Sequence, residues 1–202
     1  MSDSTAAGVS EPTQRVVVVR HGETEWSRIQ RHTGRSDIPL TAKGEAQART
    51  LGPALAGLTF AAVFVSPLQR ARETSILAGY GDVAVVDPDL IEWDYGAYEG
   101  RTSAEIQETR PGWTLFGDGV IGGETIDDVA ARARRVIERA RRVPGDVLLF
   151  GHGHQLRILT ALWLEFAPVA AQHLQLATAA PSMLGYEHDW TALLSWNGLN
   201  TQ

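Results

Sequence analysis

The chain has 202 residues, 44% of them hydrophobic and 21% charged, with a formal net charge of -6 and no cysteine. That length suits one domain able to bury a sizeable core, and the negative balance supplies no general field for nucleic acid or an anionic membrane. Without cysteine there is no disulfide framework, no thiolate nucleophile and no sulfur-ligated metal, and redox chemistry leaves the compartment open.

Residues 1–14 are rich in Ser, Ala and Gly, and lack both a basic start and an apolar run. They read as a flexible tail rather than a secretion signal, which leaves 15–202 as a single domain. Val16 to Val19 is a short β-branched run ending at Arg20, suited to a strand buried on both faces of a parallel sheet. Thr41 is a helix cap, followed by apolar positions at Ala46, Leu51, Leu55 and Leu58. Ala61 to Val65 predicts a second strand, and Pro67 the start of a helix running through about Ala78.

Val83 to Val86 predicts a further strand, and Asp87 to Gly100 is an irregular stretch dense in aromatic and acidic residues. A short helix is expected over 102–109, a turn-rich segment over 111–123, and a long helix capped by Thr125 with Val129, Ala133, Val136, Ile137 and Ala140 on its apolar face. Pro144 and Gly145 end it. Val147 to Phe150 is another buried strand, Gly151 to Gly153 a tight turn, and Leu156 to Leu164 a helix apolar almost all round. Met183 to Tyr186 and Thr191 to Trp196 suggest a hairpin turning near Asp189. No apolar segment reaches the ~20 residues needed to span a bilayer. The cytoplasm is the expected location, with no membrane partner.

Strands alternating with helices predict an α/β fold, a three-layer αβα sandwich around a mostly parallel central sheet. In such sheets ligands bind outside the carboxyl ends of the strands. Four polar clusters follow predicted strands: Arg20-His21-Gly22-Glu23, Ser66 to Arg70, Glu92, and Gly151-His152-Gly153-His154. Two arginines and two histidines around one crevice describe a site for a phosphoryl group, because Arg matches phosphate oxygens with paired hydrogen bonds. A neutral imidazole attacks phosphorus when its second nitrogen is tied down, and His21 is placed for that. Arg20 and Arg70 disfavour its protonation, His152 adds a donor if protonated, and Glu92, walled by Trp93 and Tyr95, is the candidate proton donor.

These motifs also carry a resemblance. Arg20-His21-Gly22-Glu23-Thr24, Thr33-Gly34 before Pro39-Leu40-Thr41 and Gly44, Ser66-Pro67 with Arg70-Ala71 and Thr74, Glu92 before Tyr95-Gly96 and Glu99-Gly100, Gly123-Glu124-Thr125 and His152-Gly153 stand in the order of the histidine phosphatase superfamily. The chain therefore resembles that phosphoglycerate mutase-like family over nearly its whole length. The resemblance implies a phosphoglycerate mutase-like fold, a nucleophile at His21, phosphate binding by Arg20, Arg70 and His152, and a proton donor at Glu92. It implies hydrolysis without metal or cofactor, on a small phosphate ester. Glu92 to Gly96, Tyr98-Glu99-Gly100, His152 to His154 and Arg157 are similar to the branch containing sedoheptulose bisphosphatase and related sugar-phosphate phosphatases. That branch implies a sugar phosphate or bisphosphate substrate, with Arg157 meeting a second phosphate or sugar hydroxyls. Ser27, Thr33, Gly34, Tyr95, Gly153 and His154 would then line the substrate pocket. Ser27 stands where cofactor-dependent mutases carry Asn, and their basic pair after the acidic residue is missing.

Other readings of the same residues stay open. Arg70 would form a surface ion pair with Glu73, Glu92 would cap a turn, and Arg157 would sit in an ion pair. Zinc on His21, His152 and His154 is opposed by the flanking arginines. The run Arg132, Arg134, Arg135, Arg139, Arg141 and Arg142 reads as a solvated helix face, not a nucleic-acid surface, for want of interleaved aromatics. A phosphoglycerate mutase and a non-catalytic phosphate-ester binding protein are the rival functions. Apolar residues near Trp163 and Phe166 fit either a homodimer face or a core.

Overall fold

The computed structural model describes residues 14–199. Six strands form one sheet in the order β3-β2-β4-β1-β5-β6. They are β1 (Val16–Arg20), β2 (Ala62–Val65), β3 (Ala84–Val86), β4 (Val147–Gly151), β5 (Pro181–Glu187) and β6 (Trp190–Ser195). β1, β2, β3 and β4 run parallel, whereas β5 lies antiparallel on β1 and forms a hairpin with β6. The helices are α1 (Glu25–Arg28), α2 (Ala42–Leu55), α3 (Gln69–Leu77), α4 (Ser103–Gln107), α5 (Leu115–Asp118), α6 (Ile126–Arg141) and α7 (Gly153–Trp163).

Side chains of successive strand residues point to opposite faces, and the two central strands divide their apolar residues accordingly. Val16 and Val18 of β1, with Val147 and Leu149 of β4, join the cluster built on α6 and α7. Val17, Val19, Leu148 and Phe150 join the cluster that holds Leu51 and Leu55 of α2 and Ala71 of α3. An unbroken apolar run is what a strand covered on both faces requires. Truncating a side chain such as Leu148 to Ala is expected to cost about 2–5 kcal/mol.

The register aligns Arg20 with Gly151, so β1 and β4 end side by side. His21 donates its N–H to Gly151 O, and Ser66, just past β2, donates to Phe150 O. Three of the four polar clusters are thereby set at one edge of the sheet. The loop after β1 then lies on the first turn of α2, whose cap Thr41 accepts from Gly44 N. Gly22 and Gly44 permit this approach, since a Cβ on either would collide with backbone, Gly22 with Gly44 and Gly44 with Glu23.

Some boundaries differ from the sequence expectation. The four-residue helices α1 and α5 are too short to show a periodicity, and are fixed by caps at Thr24 and Thr114. Pro67 precedes α3, which starts at Gln69. Gly151, His152 and Gly153 form no separate turn: Gly151 closes β4, His152 is the N-cap of α7, and Gly153 opens the helix. Of the expected tail, 1–13 lie outside the described residues, and the Gln14 amide donates to Ala140, Val143 and Gly145 carbonyls past α6. Trp163 is fully buried while Phe166 is exposed. No described helix is long and apolar enough to cross a membrane.

Candidate active site

A cavity of about 530 Å³ opens at the carboxyl ends of the strands, lined by Arg20, His21, Glu23, Ser27, Gln30, Arg31, His32, Thr33, Glu92, Tyr95, Ser103, Gly153, His154, Arg157 and 175–178. It sits where chain order reverses across β1 and β4, the position expected of a ligand site in such a sheet.

His21 is 4% exposed, and its Nδ1 lies 2.7 Å from Gly22 O. A carbonyl only accepts, so Nδ1 carries the proton and Nε2 keeps its lone pair. Burial, then the charges of Arg70 and Arg20, hold the pKa of His21 well below that of ordinary imidazole. The result is a neutral imidazole of fixed tautomer on the cavity wall.

Arg20 leaves the end of β1 and donates from one guanidinium nitrogen to Leu176 O at 2.8 Å. Its Nε is buried without a partner. The guanidinium lines the cavity together with His21, and a charged, planar donor in that position suits an anion. Gly153, at the first position of α7, lies against this guanidinium.

Arg70 and His152 sit behind His21 and do not line the cavity. Arg70 is completely buried, and its ion pair with Glu73 does not form. Its guanidinium instead donates to the carbonyls of Thr33, Gly34 and Ser36, and its Nε to His152 Nδ1 at 3.2 Å. The loop carrying those carbonyls is held by Glu99, whose carboxylate accepts the N–H groups of Gly34 and Ser36. Gly34 itself is backed onto Trp93, Glu99 and Tyr95 and also lies off the cavity surface. Because Arg70 only donates, His152 holds its proton on Nε2, 2.7 Å from Ser66 Oγ. Burial, then the neighbouring Arg70, lowers the pKa of His152 as well. The rings of His21 and His152 stand 5.2 Å apart.

Glu92 does cap, though a helix rather than a turn. Its Oε2 accepts His154 N at 3.0 Å, and its Oε1 accepts Gln155 N and Trp93 N at 2.9 Å. The first turn of α7 thus binds the carboxylate as helix N-termini bind anions. Glu23, the other carboxylate on the cavity, is tied up by Lys43 and Thr41. Glu92 is approached through 87–91, and here the arginine-rich face of α6 differs from the solvated surface expected. Arg132 is buried, bonds Glu124, and donates to Asp89 O and Ile91 O. Arg135 and Arg139 pair with Asp89, and Arg139 also with Asp87. The acidic spacing Asp87-Asp89 was the visible signal of that clamp.

Of the remaining expected residues, Ser27 lines the cavity while closing the capping box of α1 with Thr24. Thr33 lines it with its hydroxyl turned to Arg31 O. The Tyr95 hydroxyl meets His154 Nδ1 at 2.6 Å. Arg157 forms no ion pair among the described residues: it donates to Ala171 O and Gln172 O and lies 5.1 Å from the Phe116 ring. His32 was missed, having no motif around it; burial pushes its pKa down to about 4. Gln175 to Thr178 were missed too, since they reach the site only through the return of the chain to β5.

The family model for the histidine phosphatase superfamily (branch 1) matches residues 16–198. The chain is 36% identical to a protein of Mycobacterium tuberculosis named acid phosphatase, over 86% of this chain and 87% of that one. It is 35% identical to sedoheptulose 1,7-bisphosphatase of Saccharomyces cerevisiae, over 75% of this chain and 68% of the yeast protein. A probable phosphoglycerate mutase of an Enterobacter species is 33% identical over 88% of both. A solved structure from Mycobacterium tuberculosis superimposes with a TM-score of 0.87 at 34% identity, covering 91% of this chain and 97% of that one.

Proposed function

The chain belongs to branch 1 of the histidine phosphatase superfamily, and from that we propose that it is a metal-independent phosphomonoesterase acting on a small phosphorylated metabolite, a sugar phosphate or bisphosphate. The observation that carries this reading is His21: neutral through burial and two arginines, and locked by Gly22 O with the Nε2 lone pair free.

In the first step His21 Nε2 forms a bond to phosphorus as the ester P–O bond breaks, and Glu92 gives its proton to the departing oxygen. In the second, water attacks phosphorus, its proton passes to Glu92, and the N–P bond breaks to release phosphate. Arg20, whose side chain lines the cavity, meets the equatorial oxygens. Arg70 and His152 act from behind: Arg70 adds charge and holds His152, and the pair backs His21. Glu92 is the acid and base because it is the cavity carboxylate without a cationic side chain bonded to it.

The sugar-like substrate rests on two supports. One is the name of the yeast relative. The other is the lining, where Gln30, Ser103 and Gln175 add polar side chains in a space far larger than one phosphate. The test is phosphate release from sugar mono- and bisphosphates, phosphoglycerates and an aryl phosphate, with a chelator present and with His21→Ala alongside. Release that survives chelator and is lost in His21→Ala, with an acid-labile phosphoryl group trapped on the wild-type protein, is the expected result. Isomerised phosphoglycerate without free phosphate would refute the reading.

A further inference from the structure

Tyr95 is 1% exposed, and among the described residues its hydroxyl has one hydrogen-bond partner, Nδ1 of His154. A buried phenol whose proton found no acceptor would forfeit roughly 1–3 kcal/mol. Burial, then the charge of Glu92, raises its pKa well above the usual value, so the hydroxyl keeps its proton and donates it to Nδ1. His154 is held neutral by burial and by Arg157. A neutral imidazole has one proton for two nitrogens, and with Nδ1 accepting, that proton is on Nε2.

Aromatic rings flank the imidazole. Phe116 and Trp93 stand edge-on to it at 5.5 and 6.5 Å, and its backbone N–H is bound by Glu92. Among the described residues no group accepts the Nε2 proton, and the nitrogen is not sealed from the cavity that His154 lines. Beside it lies Arg157, which donates only and has no carboxylate partner among the described residues. This wall therefore offers donors, next to the carboxylate at which a leaving oxygen would be protonated.

We propose that Tyr95 is a positioning residue that locks His154 as an Nε2–H donor, making this wall a specificity subsite for an acceptor oxygen on the alcohol half of the ester. The proposal rests on the phosphatase reading and narrows it. Esters of polyhydroxy alcohols satisfy the donor, whereas a simple alkyl ester without further oxygens leaves it bare.

The test compares ribose 5-phosphate with n-butyl phosphate, two primary alkyl esters that need the same leaving-group proton, in the full chain and in Tyr95→Phe, His154→Phe and His154→Gln. The readout is the ratio of kcat/KM between the two esters, because damage to the fold, to the phosphate-binding groups or to the Glu92 proton donor lowers both alkyl esters together. One neutral hydrogen bond predicts a ratio lower by about tenfold in His154→Phe and by about threefold in Tyr95→Phe. His154→Gln, whose amide N–H reaches toward the place of Nε2, retains most of the ratio. A ratio unchanged in both His154→Phe and Tyr95→Phe overturns the proposal, even if activity falls. Absence of phosphate release from either ester in the wild type would instead defeat the phosphatase reading. Calorimetric binding of the same two esters to the same variants then decides the subsite by the same ratio.

Discussion

Arg70 Nε donates to His152 Nδ1 at 3.2 Å, and this bond fixes the protonation of the inner histidine. Every further bond of that guanidinium goes to a carbonyl of the 33–36 loop. A lysine at the same position would keep the charge but not the planar fork that spans four acceptors. Arg70→Lys is therefore expected to lower stability by about 2–4 kcal/mol and kcat/KM by about 100-fold or more. Urea unfolding and phosphate-release kinetics check the two halves. Wild-type kinetics in this variant would show that charge alone matters at Arg70.

His21 predicts a pH profile. Its pKa is depressed well below 6.5, and kcat/KM reports the ionisations of the free enzyme. The acid limb assigned to this imidazole should fall clearly below pH 6.5, with activity flat as pH drops through the normal histidine range. An acid limb centred near 6.5 would mean that burial and the two arginines do not control the nucleophile.

Histidine burial also makes stability depend on pH. His32 has a folded-state pKa of about 4, against 6.5 for an ordinary, solvated imidazole. Between those values the unfolded chain binds a proton that the folded one does not, so stability rises with pH across this window and falls on acidification. At one unit per ~1.4 kcal/mol, His32 accounts for up to about 3 kcal/mol between pH 7 and pH 4. Urea midpoints for wild type and His32→Leu should converge as pH is raised through this window and separate as it is lowered, the wild type losing more. Parallel curves would remove His32 as the source.

The chain past β6 returns to the site. Asn197 accepts Ala177 N and donates to Gln175 O, bracketing Leu176, whose carbonyl takes the Arg20 guanidinium. Trp196 adds a second donor to Gln175 O. Asn197→Ala should loosen this strap and raise KM for phosphate esters by about 3–10-fold, for the loss of two hydrogen bonds held through a shared loop. Since the histidine and acid are untouched, kcat should change less. Loss of kcat with constant KM would point to a different role.

Glu92 tests the shared duty of cap and acid. Glu92→Gln keeps the shape but sets an amide N–H2 against the N–H donors of α7, with an expected stability loss of about 1–3 kcal/mol. Esters with poor leaving groups should slow far more than activated aryl esters, because only the former need the proton. Equal slowing of both classes would assign Glu92 to capping alone.

Local signals in the chain were enough to set the parallel sheet, its helices and the family. Val16 to Val19 and Val147 to Phe150 are apolar without alternation, which only a doubly covered strand tolerates. Thr41 and Thr125 cap helices with hydroxyls that act within three residues, and the Arg20-His21 and His152-Gly153 pairs follow strands directly. Tertiary structure alone decided what each polar group touches. It turned Arg70 inward onto loop carbonyls, clamped the approach to Glu92 with Arg132, Arg135 and Arg139, and tied Tyr95 to His154 across 59 residues. It also brought Leu176 to Arg20 across 156 residues. The physical reason is range: hydrophobic periodicity and capping act within a turn or two of the chain, whereas a buried donor takes whichever acceptor the closed fold leaves within about 3 Å.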